Sequence, residues 1–548
     1  MSSNYKRPNI IIIMLDQASN PFSWENEAVK KYREKHMPNI EYIKKNSIVL
    51  KHHQIKSAAC IPSRACLFTG NDSKTTGVHN TDGGGKHTEE VIFIDKNKTP
   101  TLGNILINSG VYKLNDISYV GKHHLKKAVL IDEEEDIRLE TIDKEGNLIY
   151  ENLKKYQDAN LLEDLGFKHL SGPDPHGPNM LNAGFLVDTG YVDIAIDWLK
   201  KREKNTDPFV QVLSLVEPHD LVYFPHVWRI WGKKIPNNKK INIENIPLSP
   251  SDNIKLEEYP LAYQNWVKRY DKYFTEQDAK LYRQFYYYLL TIADDNLGRF
   301  LNYFTNSIHA EDTIIIFTSD HGDLCGTHGG GYQKWYCPFE EVTNVFCNIM
   351  RFKNSKPVWY GTIDYPTSHA DICPTICSFL DIKYNKFTGT NIFSSDRKSK
   401  NLAITCYIQD HFTMGSNLIR YPIRMFPLLG KELDAKFVPV DQDSNGNIIY
   451  PEYAISIAWK FINDNLYKLA LYHIPNNYNY NDLLQIGVLE ESIQKGFVML
   501  YDLTNDPYES KNIVRDSNNL VVSVAKAIAR ELCIVFVEEN NKRSYMFN

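Results

Sequence analysis

The chain is 548 residues long, enough for one large α/β domain with an appendage or for up to about four small domains. Its 62 basic and 67 acidic residues leave a net charge of −5, which excludes a polyanion-binding surface spread over the whole molecule and makes nucleic acid a poor partner. Hydrophobic content of 43% and charged content of 24% exclude the disordered and fibrous classes.

In chain order, the first element is a buried strand. Asn9 to Leu15 is an Ile-rich apolar run ending in Asp16-Gln17, the pattern of a parallel strand covered on both faces with polar residues at its C-terminal end. Its apolar stretch, Ile10 to Leu15, is too short for a signal-peptide core or a membrane span, so a cytoplasmic location without membrane contact is expected. Next comes Cys60-Ile61-Pro62-Ser63-Arg64. Pro62 suits the first turn of a helix, which puts Cys60 at the helix N-terminus, where unpaired N–H groups favour an anion; Arg64 lies one turn along. Three further buried-strand runs follow. Ile117 to Val120 leads into Gly121-Lys122-His123-His124, Phe209 to Val216 into Glu217-Pro218-His219-Asp220, and Thr313 to Thr318 into Ser319-Asp320-His321-Gly322. Ligands of open α/β sheets bind beyond the carboxyl ends of the strands, so four such ends rich in Asp, His and Lys predict one shared site. Helical stretches at Thr189 to Lys201 and Lys280 to Asn306 complete a doubly wound α/β pattern, a large mixed sheet flanked by helices.

Val222 to about Thr275 is dense in Pro, Asn, Trp and Tyr with little periodicity, and reads as an irregular insertion. Its Tyr223, Phe224, Trp228 and Trp231 are candidates for a sugar platform or a cation cage, with loop packing as the plainer role. Beyond Ile382 the pattern changes to short strands, Ile404 to Ile408, Ala454 to Phe461, Leu466 to Tyr472 and Phe497 to Tyr501, and a helix from about Leu520 to Val537. These predict a smaller C-terminal α+β subdomain over 396–548, after a catalytic domain over 1–395. The acidic run Asp132 to Asp136 reads as a solvated loop, and neither Gly83-Gly84-Gly85-Lys86 nor Gly329 to Gly331 fits a phosphate-binding loop. Nine cysteines at wide spacings, without a CxxC pair, argue against a disulfide framework.

The stretch Cys60-Ile61-Pro62-Ser63-Arg64-Ala65-Cys66-Leu67-Phe68-Thr69-Gly70 closely resembles the signature of the sulfatase family, of alkaline-phosphatase-like fold. In that family the cysteine is oxidised to formylglycine by a maturation enzyme, and the aldehyde hydrate is the nucleophile. The other strand ends match in order. The resemblance implies a site for one divalent cation, Ca²⁺ first with Mn²⁺ or Mg²⁺ open, held by Asp16, Gln17, Asp320, His321 and the modified Cys60. Gln17 stands where many members carry a second aspartate, as in choline-sulfatase-like and phosphonate monoester hydrolase relatives. Gly121-Lys122-His123-His124-Leu125 resembles the family's Gly-Lys-Trp-His-Leu element, which implies that Lys122 binds a sulfate oxygen and His124 is the base of the second step. His219 is implied as the leaving-group histidine, and Lys334 as a contact to both sulfate and leaving oxygen. Asp371-Ile372-Cys373-Pro374-Thr375 and Leu500-Tyr501-Asp502-Leu503-Thr504-Asn505-Asp506-Pro507 extend the resemblance over nearly the whole chain.

What the resemblance implies is hydrolysis of a small-molecule or sugar sulfate ester. The hydrate attacks sulfur, His219 with Lys334 protonates the leaving oxygen, and His124 deprotonates the second hydroxyl so that sulfate departs and the aldehyde re-forms. Arg64, Lys122 and Lys334 surround the anion. Two alternatives stand beside this reading: a phosphonate monoester or phosphodiester hydrolase of the same fold, against which Lys122 and His124 weigh, and an inactive protein that binds a sulfated ligand. A homo-oligomer is compatible with the sequence. Cys66, Cys325, Cys337, Cys347, Cys373, Cys377, Cys406 and Cys533 are expected to be reduced thiols.

Overall fold

The alternation of side chains in the first strand organises the molecule. Successive residues of a strand face opposite sides, so in the run Ile10 to Leu15 the residues Ile11, Ile13 and Leu15 enter one core while Ile10, Ile12 and Met14 enter another. All six are fully buried, which is why the run is apolar throughout rather than alternating. The computed structural model describes residues 7–79, 81, 91–127, 130–131, 136–137, 139–143, 145–173, 183–224, 243, 245–260, 263–264, 266–268, 276–395, 404–410, 453–473, 493, 496, 498–516 and 523–529.

Among the described residues the central sheet has nine strands. Eight follow one another in the order Gly361–Ile363, Ile48–Leu50, Cys347–Lys353, Asp312–Ser319, Asn9–Asp16, Val210–Pro218, Ile117–Gly121 and Lys168–His169, and Lys356–Pro357 pairs off Cys347–Lys353. From Asp312–Ser319 to Lys168–His169 every neighbouring pair is parallel, whereas Cys347–Lys353 runs antiparallel to all three strands it pairs with. The expected mixed, doubly wound sheet is therefore present. Long helices Ala183–Lys201 and Glu276–Thr305 cover one face, and Cys60–Thr69, Leu102–Asn108 and Ile372–Phe379 cover the other. Helix Ala183–Lys201 includes residues ahead of the expected start at Thr189, among them Asp188, which is buried and accepts the N–H groups of Val216 and Glu217 at 2.6 and 2.9 Å.

Register puts the chemistry at one level. Leu15 pairs with Ser319 and Asp16 with Pro218, so three neighbouring strands end together. Beside them, Gly121 at φ +97° lets Ile117–Gly121 approach so closely that a Cβ would lie 1.9 Å from the Ser214 carbonyl oxygen, and the next residue, Lys122, donates its N–H to that same oxygen at 3.0 Å.

A second, four-stranded antiparallel sheet, Ile404–Asp410, Tyr453–Ile462, Asn465–His473 and Val498–Asp502, forms the C-terminal subdomain. Ile455, Ile457, Trp459, Tyr472 and Tyr501 face the catalytic half, against Trp335, Tyr336 and Phe339. Ala458, Leu469, Leu471 and Leu500 face the helical residues 523–529, the described part of the helix expected over Leu520 to Val537. In the expected insertion, Phe224 packs into the core against Tyr282 and Phe285, which leaves it no role in a ligand platform. Trp228, Trp231 and the side chain of Tyr223 lie outside the described residues, as do Gly83 to Lys86 and most of Asp132 to Asp136. No described helix is long and apolar enough to cross a membrane.

Candidate active site

Cys60 is the first residue of helix Cys60–Thr69, as Pro62 predicts. Its Sγ lies 3.1 Å from His321 Nε2 and accepts from Lys334 Nζ at 3.1 Å. Burial, and after it the Asp16 carboxylate, pushes the thiol up, against the pull of Lys334 and Lys122. An unmodified Cys60 is thus a neutral thiol at neutral pH and a weak nucleophile.

Arg64, wholly buried one turn along, ties three strand ends together. It donates from Nη2 to Asp16 Oδ2 and from Nε to Asp320 Oδ2, both at 2.8 Å, and from Nη1 to the Lys122 carbonyl at 2.6 Å and Ser214 Oγ at 2.9 Å. Lys122 Nζ pairs with Asp16 Oδ2 at 2.6 Å. Burial works to raise the Asp16 carboxyl, but Lys122 first, then His219, Arg64 and His321, hold it well below the usual carboxylate range. Asp320 Oδ1 accepts the backbone N–H groups of Gln17 and His321 at 3.1 and 2.9 Å.

The tautomer of His321 follows from its neighbours. Nδ1 lies 3.0 Å from the Gly322 carbonyl, which can only accept, so Nδ1 carries the proton and Nε2 presents a lone pair. Lys334 Nζ donates to that lone pair at 2.7 Å. Burial, only partly opposed by Asp320, brings this imidazole down to about 4, so it is neutral at pH 7. Close packing here depends on Gly322, where a Cβ would stand 2.0 Å from the Glu341 carbonyl oxygen.

Asp16, Cys60, Asp320 and His321 each offer one ligand atom, and these atoms lie within 4.8 Å of one another. Asp16 Oδ1 and Gln17 Oε1 are buried oxygens that accept no hydrogen bond. Oxygen donors left bare in a buried pocket, joined by an imidazole lone pair, fit a divalent cation, so the chain's own residues are consistent with the expected metal.

Of the remaining expected residues, His124 is buried with φ +48° near Lys122 and Arg64; burial, then those two cations, hold it well below the usual imidazole range, so it is neutral. His219 follows strand Val210–Pro218, half-buried, and is close enough to act on the Asp16 carboxyl. His123, at the family's tryptophan position, is a core ring edge-on to Tyr119 and His169, brought by burial down to about 3. Four contributors escaped the sequence reading. Ser214 receives Arg64, Asp323 and Gln333 accept from the Gln17 carboxamide, and Tyr282 bonds both of them. A lone hydroxyl inside the apolar Phe209 to Val216 run was the available signal for Ser214.

The family model described as Sulfatase matches residues 8–382. The chain belongs to the sulfatase family. Members of this family are sulfuric ester hydrolases, and this chain is similar to the uncharacterized sulfatase YidJ of Escherichia coli (strain K12), 23% identical over 75% of the chain and 79% of that protein. Arylsulfatase K of Gallus gallus is 25% identical over 60% of the chain and 55% of its own length, and choline-sulfatase of Rhizobium meliloti 24% identical over 69% and 68%. Among solved structures, a 2-O GAG sulfatase superposes with a TM-score of 0.61 at 17% identity, covering 98% of this chain and 94% of that one. The phosphonate monoester hydrolase of Agrobacterium radiobacter superposes with a TM-score of 0.54 at 17% identity, over 97% and 96%. At that identity the structural likeness speaks to the fold, the alkaline-phosphatase-like one expected for this sulfatase.

Proposed function

We propose that this sulfatase hydrolyses a sulfate monoester with a formylglycine derived from Cys60, releasing sulfate and an alcohol. The observation that carries the reading is the position of Cys60 Sγ, at a helix N-terminus and 3.1 Å from both Lys334 Nζ and His321 Nε2. Its sulfur stands where the oxygens of the hydrated aldehyde would stand. A buried neutral thiol among cations has the wrong form for attack on an anion, whereas an aldehyde hydrate has two hydroxyls, one to attack and one to expel the product. A divalent cation held by Asp16, Gln17, Asp320, His321 and the modified Cys60 would supply charge stabilisation to the ester's oxygens.

The chain's own groups divide the rest. Arg64 holds Asp16 and Asp320 in place, and Lys122 and Lys334 bring positive charge to the anion. One hydroxyl gives up its proton to water and its oxygen bonds to sulfur as the S–O bond to the alcohol breaks, and the alkoxide takes its proton from His219, aided by Lys334. His124, neutral and able to accept, removes the proton of the second hydroxyl; the C–O bond to the sulfated oxygen then breaks, sulfate leaves, the C=O re-forms, and water rehydrates it. A maturation enzyme that oxidises Cys60 is the implied partner, and a small-molecule or sugar sulfate the implied substrate class. We also propose the division into a catalytic domain, 1–395, and a C-terminal subdomain, 396–548.

Mass spectrometry of the Cys60 peptide from active protein is expected to give the aldehyde or its hydrate, and an intact thiol in fully active protein would sink the mechanism. Parallel assays on an aryl sulfate and an aryl phosphonate ester are expected to favour the sulfate; faster phosphonate cleavage would transfer the chain to the alternative hydrolase. Stripping with a chelator is expected to abolish turnover, with recovery on adding Ca²⁺, Mn²⁺ or Mg²⁺.

A further inference from the structure

We propose that Asp323 is a positioning residue for the cation, setting which end of the Gln17 carboxamide faces the site and so making Gln17 a ligand through Oε1. The inference rests on the metal-dependent reading above and adds to it a residue outside the ligand set.

A primary amide has two ends of nearly equal size and opposite hydrogen-bonding character, so a half-turn of the Gln17 carboxamide costs no space but exchanges an acceptor for a donor. Its surroundings allow one sense only. Gln17 Nε2 donates to Asp323 Oδ2 at 2.7 Å and to Gln333 Oε1 at 3.2 Å, so both of its hydrogens are used. Asp323 Oδ2 also accepts from the Tyr282 hydroxyl at 2.9 Å, and Oδ1 from the Cys325 N–H at 2.7 Å, which pins the carboxylate at both oxygens. Tyr282 Oη in turn accepts from Gln333 Nε2 at 2.9 Å, and this fixes Gln333 with its carbonyl toward Gln17. The ring Gln17, Asp323, Tyr282, Gln333 is closed and almost wholly buried.

Turned over, Gln17 would set its carbonyl against a carboxylate oxygen and a carbonyl, and its N–H hydrogens toward the cation. Each such mismatch strands a buried polar group without a partner. In the observed sense Gln17 Oε1 accepts no hydrogen bond and is left bare, as is Oδ1 of the preceding residue, Asp16. Because the amide has lost the charge of the aspartate found at this position in many relatives, its orientation has to be imposed by neighbours, and Asp323, as a carboxylate, accepts from it.

The test is calorimetric titration of Ca²⁺ and Mn²⁺ into chelator-stripped protein, with circular dichroism and thermal unfolding as the check on folding. Asp323→Asn, which cannot satisfy Gln17, Tyr282 and Cys325 together, is expected to weaken cation binding about 10-fold or more, in the range usual for loss of a group that orients a ligand. The double variant Gln17→Glu with Asp323→Asn reverses the hydrogen bond, with the amide now donating to the carboxylate at equal total charge. It is expected to bind the cation more tightly than either single variant. Tyr282→Phe, which removes one hydroxyl, is expected to weaken binding severalfold and serves if Asp323→Asn fails to fold. Wild-type affinity in Asp323→Asn or Tyr282→Phe, or a double variant no tighter than the singles, overturns the inference. A wild-type protein that takes up none of Ca²⁺, Mn²⁺ or Mg²⁺ overturns the metal reading, and this inference with it.

Discussion

Arg64 shows how much one side chain settles at this site. Its planar fork reaches two carboxylates on different strands, a carbonyl and a hydroxyl at once, which a lysine ammonium on a flexible stem cannot do. Breaking a buried pair leaves an uncompensated charge and costs about 3–5 kcal/mol. Arg64→Met is therefore expected to lower stability by that order as well as to abolish turnover; a denaturation midpoint equal to wild type would show that the fork does not hold the strand ends together. His124 has a different part. As a neutral base for the second step, its loss should spare the first, so His124→Ala is expected to accumulate enzyme carrying one sulfuryl group, visible in the intact mass. Absence of that adduct in enzyme that still releases one equivalent of alcohol would remove His124 from the role.

At the scale of elements, the end of strand Val210–Pro218 carries a burden of buried acid. Asp188, Glu217 and Asp220 meet there, and the Glu217 carboxyl lies against Asp220. Burial pushes Asp188 up to about 8, only partly opposed by the N–H groups of Val216 and Glu217, and pushes Asp220 up to about 6, opposed first by its hydrogen bond with the Glu217 carboxyl and then by Gly184 N–H; burial with its acidic neighbours holds Glu217 well above the carboxylate range. A folded-state value above the unfolded one means that the folded protein binds the extra proton. The stabilisation is then complete below about pH 4 and is lost as pH rises through about 6 and then about 8. The contribution of this acid cluster to the unfolding free energy is expected to fall between pH 5 and 8, against the opposite trend from the buried neutral histidines. Asp220→Asn, whose carbonyl still accepts from Gly184 N–H and whose amide faces Glu217, should show a shallower fall in denaturant titrations at several pH values. An unchanged slope would mean that Asp220 does not titrate there.

Across the whole molecule, the C-terminal sheet does more than cover an apolar face. Lys468, buried on strand Asn465–His473, donates to the Pro338 carbonyl at 2.8 Å and to Glu340 Oε1 at 3.2 Å, and pairs with Glu509. Trp459 Nε1 donates to Glu340 Oε1 at 2.8 Å, and Tyr472 to the Tyr336 carbonyl at 2.8 Å. All of these grip the segment that begins with Lys334. Lys468→Met is thus expected to loosen a catalytic segment from a distance, with faster hydrogen exchange over residues 334–344 and a stability loss of about 3–5 kcal/mol from the stranded carboxylates. Wild-type exchange in that segment would reduce the subdomain to a cover.

Strand runs and their polar ends were legible because each is local: apolar continuity marks a strand buried on both faces, and Pro62 marks a helix start that lifts Cys60 to the N-terminus. The same patterns announced that Asp16, Lys122, His219 and Asp320 would stand at one edge of a parallel sheet. Which atoms meet there was not legible. Gln17 and Gln333 are 316 positions apart, Arg64 and Ser214 150, and their contacts follow from strand register and from how closely Gly121 lets two strands approach. The sequence by itself determined the residue types, the strand ends that carry them and the family. Only the tertiary structure decided that two buried oxygens stay bare, that His321 offers its Nε2 lone pair, and that Gln17 turns its carbonyl inward, because hydrogen-bond direction in a buried site depends on every neighbour at once.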